Sequence, residues 1–344
     1  MKYFLKRCGF QELGSIGEDG KPKRGRYLLS SHFSEVVSLF PPLSREIPND
    51  TAVLPIIPLY TRKKTYCNYV YHNSKYTGTD AKHKRNEYRI YLNNILEGNR
   101  LYLEAGDIVV IRKSAFAEIQ DAGETVYFMD VIKDHCSGLY VNLSRVIEKS
   151  PAHGGFGIYD GYIDYFEEQV ASIIRNGEVR DIEIDKSVTD RIMKSTQENR
   201  NNIFNPATFR DFVLAGYGNA CALTGMKADD ILGKGLDVVY IRPLQDGGTC
   251  MPDNGIALRS DLSMGFVSGE FSLTNDYQVL VHPESADERL KFLSLRQIMV
   301  PQNPFFRPNR DSLEYHRKNI YGSFLEYDYD IKLADDNIHE YDTE

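Results

Sequence analysis

At 344 residues the chain has room for two ordinary cores, and a composition 42% hydrophobic and 26% charged excludes a disordered chain and a membrane-embedded one. The net charge of −8 argues against a nucleic-acid partner until it is mapped. The C-terminal stretch LEYDYDIKLADDNIHEYDTE sets eight acidic side chains against Lys332 alone and leaves the remaining chain close to neutral. Five scattered cysteines (Cys8, Cys67, Cys136, Cys221, Cys250), never spaced C-x-x-C, argue against a disulfide framework or a cysteine zinc site. The opening MKYFLKRCGFQELG holds no signal-like apolar run, and no later segment reaches the roughly 20 apolar residues that span a bilayer, so a cytoplasmic location without a membrane partner is expected.

Residues 1–150 carry short apolar or alternating runs punctuated by Gly, Pro and Asn: TAVLPIIPLY, EYRIYLNNI, GDIVVIRKS and ETVYFMDVIK. Tightly spaced runs of this kind predict a mostly-β barrel or sandwich. In EAGDIVVIRK, Gly106 and Asp107 supply the turn, and Ile108 to Ile111 form a buried strand. The basic, tyrosine-rich stretch TRKKTYCNYVYHNSKYTGTDAKHKRNEYRIY is the one strong local positive field, and its alternative reading is a solvated, solubilising surface.

Residues 151–200 are expected to form a linker with helices. SPAHGGFGIYDG is a Pro/Gly-rich break, and no Gly-Lys-Ser/Thr follows to make it a phosphate loop. DYFEEQVASIIRN then places Phe166, Val170, Ile173 and Ile174 at helix spacing. Further helices are predicted in KSVTDRIMKSTQENRNN and NPATFRDFVLAGYG, the second with Asn205 as N-cap and Pro206 at the first helical position. Residues 201–323 form a second domain and 324–344 the acidic tail. No internal repeat is present.

Four blocks of the second domain, in order, resemble the HNH endonuclease family in its restriction-type branch: FRDFVLAGYGNACALTG, LDVVYIRPL, DNGIALRSDLSMGFVSGEFSL and FRPNRDSLEYHRKNIY. The resemblance implies a ββα-metal unit, a two-stranded hairpin and a helix holding one divalent cation against a phosphate. Its first histidine would be general base and its helix would supply a metal ligand. Here the first histidine position falls on Tyr240, the central asparagine on Asn254 and the last histidine on Ser263, while Val267 takes the acidic position beside Phe266. Gly255 and Gly269 remain as scaffold. A tyrosine, with an ordinary pKa of about 10, is a poor base at neutral pH. Serine is a weak ligand for a divalent ion and valine is none. No catalytic residue, metal site or cofactor is therefore expected, with Mg or another divalent cation required only if the unit cleaves. The other candidates in the domain, His282, His316, Asp237, Asp246, Asp253 and Asp261, read as structural. Asp237, three residues before Tyr240, should face the other side of the strand. Cys221 reads as a small buried packing residue.

RNEYRIYLNN followed by LEAGDIVVIRK, after the extended FPPLSREIPNDTAVLPIIP, gives residues 25–145 a resemblance to the pseudobarrel DNA-recognition domain of plant B-three-type transcription factors and some restriction-enzyme effector domains. That resemblance implies a duplex gripped by basic side chains. The candidate phosphate contacts are Lys23, Arg24, Arg26, Arg62, Lys63, Lys64, Lys82, Lys84, Arg85 and Arg89. Tyr66, Tyr69, Tyr71 and Tyr76 lie between them, and Asn73 and Asn86 are candidate base readers. The expected fold is α+β, a mostly-β pseudobarrel, a helical linker region and an HNH-like domain. The expected function is binding of double-stranded DNA without cleavage, as a homodimer. The alternatives are an active HNH-type restriction endonuclease with a rebuilt metal site, and a DNA-targeting partner of a separate nuclease. A further expectation lays the acidic tail over the basic face as a phosphate mimic, against the plainer reading of a disordered solubilising end.

Overall fold

The computed structural model describes residues 1–15, 18, 26–73, 86–97, 102–114, 125–151, 154–176, 182–227 and 235–324. The chain divides into two compact units, Met1–Ile203 and Phe204–Glu344.

The first unit is built on β1 (Lys2–Arg7), α1 (Phe10–Leu13), β2 (Tyr27–Ser30), α2 (Ser34–Val37), β3 (Thr51–Pro58), β4 (Lys64–His72), β5 (Glu87–Tyr91), β6 (Ile108–Lys113) and β7 (Tyr127–Ile132). After them come α3 (Gly138–Lys149), β8 (Phe156–Asp160), α4 (Asp164–Asn176), β9 (Ile182–Glu183), α5 (Lys186–Lys194) and α6 (Gln197–Ile203). The strands make one sheet in the order β2-β5-β4-β3-β7-β6-β1-β8, with β9 beside β4. Neighbours are antiparallel except β3 with β7 and β4 with β9.

Alternation along the strands feeds two cores. Phe4, Val109, Ile111 and Met129 point to one side, and Tyr3, Leu5, Ile108, Val110 and Phe128 to the other. The first core joins Leu28 and Ile90, from one end of the strand order, to Phe4 and Phe156 from the other end. Only a sheet curled nearly into a barrel brings such strands together. The opposite core is closed by α3 and α4 through Leu143, Ile147, Phe166, Val170 and Ile173.

A buried carboxylate ties the two ends of the curl. Glu12 Oε2 pairs with Lys6 of β1 at 3.0 Å, and its Oε1 accepts from the Leu29 amide of β2 at 2.6 Å. Residues 151–200, expected as a linker with helices, are part of this unit: β8 pairs with β1 and α4 covers the outer core. The apolar stripe of α4 was legible in its spacing, whereas nothing in the Pro/Gly-rich stretch announced that its end would join the sheet.

The second unit starts with α7 (Pro206–Gly216), whose first amides at Ala207 and Thr208 are capped by the Asn205 side chain. Next come the antiparallel hairpin β10 (Leu236–Tyr240) and β11 (Gly255–Arg259), followed directly by α8 (Ser260–Val267). A second hairpin, β12 (Phe271–Leu273) with β13 (Val279–Val281), leads to α9 (Glu288–Leu293) and α10 (Arg310–Asn319). The whole is a mixed α and β chain, and no helix among the described residues is long and apolar enough to cross a membrane.

Candidate nucleic-acid interface and hairpin–helix site

The strand–loop–strand–helix order of β10, β11 and α8 is a ββα arrangement, and Asn254 holds its loop. The Asn254 side chain accepts from the Arg242 amide at 2.9 Å and donates to the carbonyls of Arg242 and Thr249 at 2.9 and 3.0 Å. With 2% exposure the amide is fully engaged, and it fixes the loop between the strands. Gly255, next in sequence, packs so closely on α7 that a Cβ there would come within 2.4 Å of Val213 Cγ2. At Gly269 the backbone is left-handed (φ 84°) and a Cβ would meet the Ile320 carbonyl oxygen at 2.3 Å.

Tyr240 pairs with Gly255 across the hairpin and shares its face, with the phenol ring stacked flat on Phe209 of α7 at 4.2 Å between centroids and 7° between planes. Its hydroxyl lies 3.6 Å from Cys250 Sγ, and burial, reinforced by that contact, holds the phenol above its ordinary pKa. Asp237 faces the other side, as the three-residue spacing requires. There it meets α8: Ser260 Oγ donates to Oδ1 at 2.9 Å and Ser263 Oγ to Oδ2 at 2.7 Å. The two histidine positions of the resemblance therefore lie on opposite sides of β10, Tyr240 packed on α7 and Ser263, on α8, tied to Asp237 on the other face.

This donor set does not fit a divalent ion. The Asn254 amide is spent on backbone, the Ser263 hydroxyl on Asp237, and the Tyr240 phenol is held protonated away from Ser263. Among the described residues no three His, Cys, Asp or Glu side chains are placed to hold a metal.

The remaining candidates have structural partners. His316 is fully buried, stacked on Phe266 at 3.9 Å, with Nδ1 2.8 Å from Ser272 Oγ and Nε2 3.0 Å from the Phe266 carbonyl oxygen. Since the carbonyl only accepts, Nε2 carries the proton and Nδ1 accepts from Ser272. Asp261 is paired with Arg259 and Arg289. Asp253 is raised by burial, and its Oδ2 lies 3.3 Å from Asn309 Nδ2. The Asp246 backbone carbonyl accepts from Arg242 Nε at 2.7 Å, and His282 packs between Tyr321 and Phe324. Cys221 is buried, its amide donating to Met226 and its carbonyl accepting from Gly225, which closes the Cys-x-x-Thr-Gly turn.

In the first unit, Lys23, Arg24, Lys82, Lys84, Arg85 and Tyr76 lie outside the described residues. Lys63 is 54% exposed beside Glu183 at 3.4 Å. Arg62 is half-buried, with Nη2 3.3 Å from Gln169 Oε1. Arg89 is half-buried, paired with Glu87 and stacked over the Tyr27 ring at 4.0 Å. Two candidates are internal. Arg26 spends its guanidinium on both Glu97 oxygens and on the carbonyls of Leu13 and Leu103, and Lys64 is 5% exposed, with its ammonium 5.8 Å from the Tyr66 ring centroid.

Tyr66, Tyr69 and Tyr71 are buried in the sheet and do not reach outward. Asn73 is a staple: it accepts from the Asn49 amide and donates to the carbonyls of Arg45 and Ile47. Asn86 is exposed, its side-chain oxygen accepting from the Tyr71 hydroxyl at 2.6 Å and its backbone carbonyl 2.6 Å from His32 Nε2. Sequence reasoning missed Arg191 of α5, whose guanidinium lies 3.5 Å above the Tyr91 ring beside Arg89.

No family model matches the chain, and no curated protein matches it. A solved structure of the B3 domain of the UbaLAI restriction endonuclease with cognate DNA is similar to it at 18% identity, covering 46% of this chain and 85% of that one with a TM-score of 0.28. That score is too low to establish a common fold.

Proposed function

We propose that the chain binds duplex DNA as a restriction-type protein and does not cut it, the first unit reading the duplex and the second retaining an HNH-like scaffold without its chemistry. The observation that carries the reading is the divergence of Tyr240 and Ser263 to opposite sides of β10 around an intact Asn254 staple. A general base and a metal ligand must converge on one phosphate, and these two positions do not. DNA binding is supported by the basic stretch around β4 and β5 and by the barrel-like curl of the sheet that the pseudobarrel resemblance implies, with Lys63 and Asn86 as exposed described residues there. Gel-shift titration of random and methylated duplexes, run with plasmid nicking in magnesium, manganese and zinc, tests both halves. Salt-dependent duplex binding with intact supercoiled plasmid is expected. Metal-dependent nicking that disappears in Tyr240→Phe would overturn the non-cleaving half, and absence of duplex binding at low salt would overturn the other.

A further inference from the structure

Tyr88 and Ile90 of β5 point into the core, so Glu87, Arg89 and Tyr91 line the other face of the strand. Tyr27 of β2 sits opposite Tyr91 on that face, with 6.0 Å between the ring centroids. The Arg89 guanidinium lies over the Tyr27 ring at 4.0 Å, and Arg191 reaches from α5 to lie over the Tyr91 ring at 3.5 Å. Glu87 pairs with Arg89 from the same strand.

The Tyr91 hydroxyl is the hub of this cluster. It lies 2.7 Å from His72 Nε2, while His72 Nδ1 lies 3.2 Å from Asn49 Oδ1. An amide oxygen only accepts, so Nδ1 carries the proton and Nε2 accepts from the phenol. With its proton committed to His72, the phenol oxygen faces both guanidiniums as an acceptor. Burial, with the Arg89 charge adding to it, holds Arg191 below the ordinary arginine range, although it stays protonated at neutral pH. Two like charges are thus kept side by side in a half-buried place, and an anion between them relieves their repulsion. Stacking engages the flat face of a guanidinium, whereas an anion is bound by the N–H donors in its plane. A phosphate matches that fork of donors with a pair of its oxygens.

We infer, on the DNA-binding reading proposed above, that Arg89 and Arg191 form a clamp on one backbone phosphate of the duplex. Tyr27 and Tyr91 fix the two guanidiniums before the phosphate arrives, which lowers the ordering cost of binding it. Because both guanidiniums converge on one hydroxyl, they serve a single phosphate.

Fluorescence-anisotropy titrations of a duplex over a salt series test the clamp, at a temperature where thermal melts show every protein folded. The proteins are the natural chain, Arg191→Gln, the double variant Arg89→Gln with Arg191→Gln, Arg191→Lys, and Lys186→Gln, which removes a charge from an 80% exposed side chain of α5. Arg191→Gln should weaken binding at low salt by about tenfold. The double variant should lower the slope of log affinity against log salt by about one in total, the value for one phosphate contact. Arg191→Lys should keep the slope and bind more tightly than Arg191→Gln, and Lys186→Gln should match the natural chain. Unchanged affinity and slope in the double variant overturn the clamp. So does a slope lower by about two, which gives each arginine its own phosphate, or an equal loss in Lys186→Gln, which makes the effect one of bulk charge. A natural chain that binds no duplex at low salt overturns the DNA-binding reading itself, and the clamp with it.

Discussion

The Ser263 hydroxyl donates to Asp237 Oδ2 at 2.7 Å, so the helix position that the HNH resemblance matches to a histidine is tied to the first strand of the hairpin. Ser260 occupies the other carboxylate oxygen, and the start of α8 is pinned to β10 through a single side chain. Hydrogen bonds to a charged acceptor contribute about 1.5–3 kcal/mol each, which sets the scale of the test. Asp237→Ala should destabilise the second unit by about 2–4 kcal/mol and Ser263→Ala by about 1–2 kcal/mol. The double variant should fall short of their sum by about 1 kcal/mol, because the shared bond is lost only once. Urea unfolding of all four proteins measures the cycle, and strict additivity would mean that the bond does not hold the helix.

Asn254 and Gly255 make a second, separable prediction. Asn254→Ala leaves two carbonyls and an amide without their side-chain partner and should cost about 2–4 kcal/mol. Gly255→Ala forces a methyl into the space of Val213 and Phe209 and should cost about 1–3 kcal/mol through overpacking. Both are stability effects, read as a fall in the urea midpoint. Neither should alter plasmid integrity, and a change in nicking with either would reinstate the loop as catalytic support.

Arg26 and Lys63 are both candidate phosphate contacts by sequence, and the structure separates them. Arg26 is enclosed with Glu97, its side chain 5% exposed, whereas Lys63 stands at the surface. Breaking a buried pair by removing one partner costs about 3–5 kcal/mol, so Arg26→Ala should lower first-unit stability by that order. Lys63→Ala should leave stability within about 0.5 kcal/mol and reduce the slope of log affinity against log salt by about one. Thermal melts and salt-titrated gel shifts distinguish the two. A stable Arg26→Ala with a reduced salt slope would return Arg26 to the interface.

What the sequence disclosed follows from how local each signal is. The strand runs, the Asn205-Pro206 helix start and the α4 stripe depend on near neighbours and were readable. The period-2 rule also placed Asp237 opposite Tyr240 correctly. It was silent on what each face meets, because Phe209 lies 31 positions before Tyr240 and Ser263 lies 26 after Asp237. The burial of Arg26 was hidden for the same reason: its partner Glu97 is 71 residues away, and a lone arginine in KRGRY has the composition of a surface cluster. The tyrosines of β4 misled in the opposite sense, since a basic, aromatic run is the footprint of a polyanion site and also of a strand buried on both sides.

His316 gives the pH prediction. Burial pushes its imidazole down to about 4, against the pull of the Phe266 carbonyl, so the folded second unit holds it neutral. In the unfolded chain the ring titrates near its ordinary value of about 6.5. The unfolded state therefore binds a proton that the folded state refuses between those values. The stability is fully present above pH 6.5 and is lost as the pH falls toward 4, by roughly 3 kcal/mol in total. His316→Gln keeps a polar side chain in the same place but cannot titrate. Carboxylates contribute to acid sensitivity in both proteins and cancel in the comparison. Unfolding midpoints measured from pH 7 to 4.5 should show the natural protein falling more steeply than the variant, with the gap opening below pH 6.5. Parallel curves would show that the ring is charged in the folded state and that the tautomer assigned from Ser272 and Phe266 is wrong.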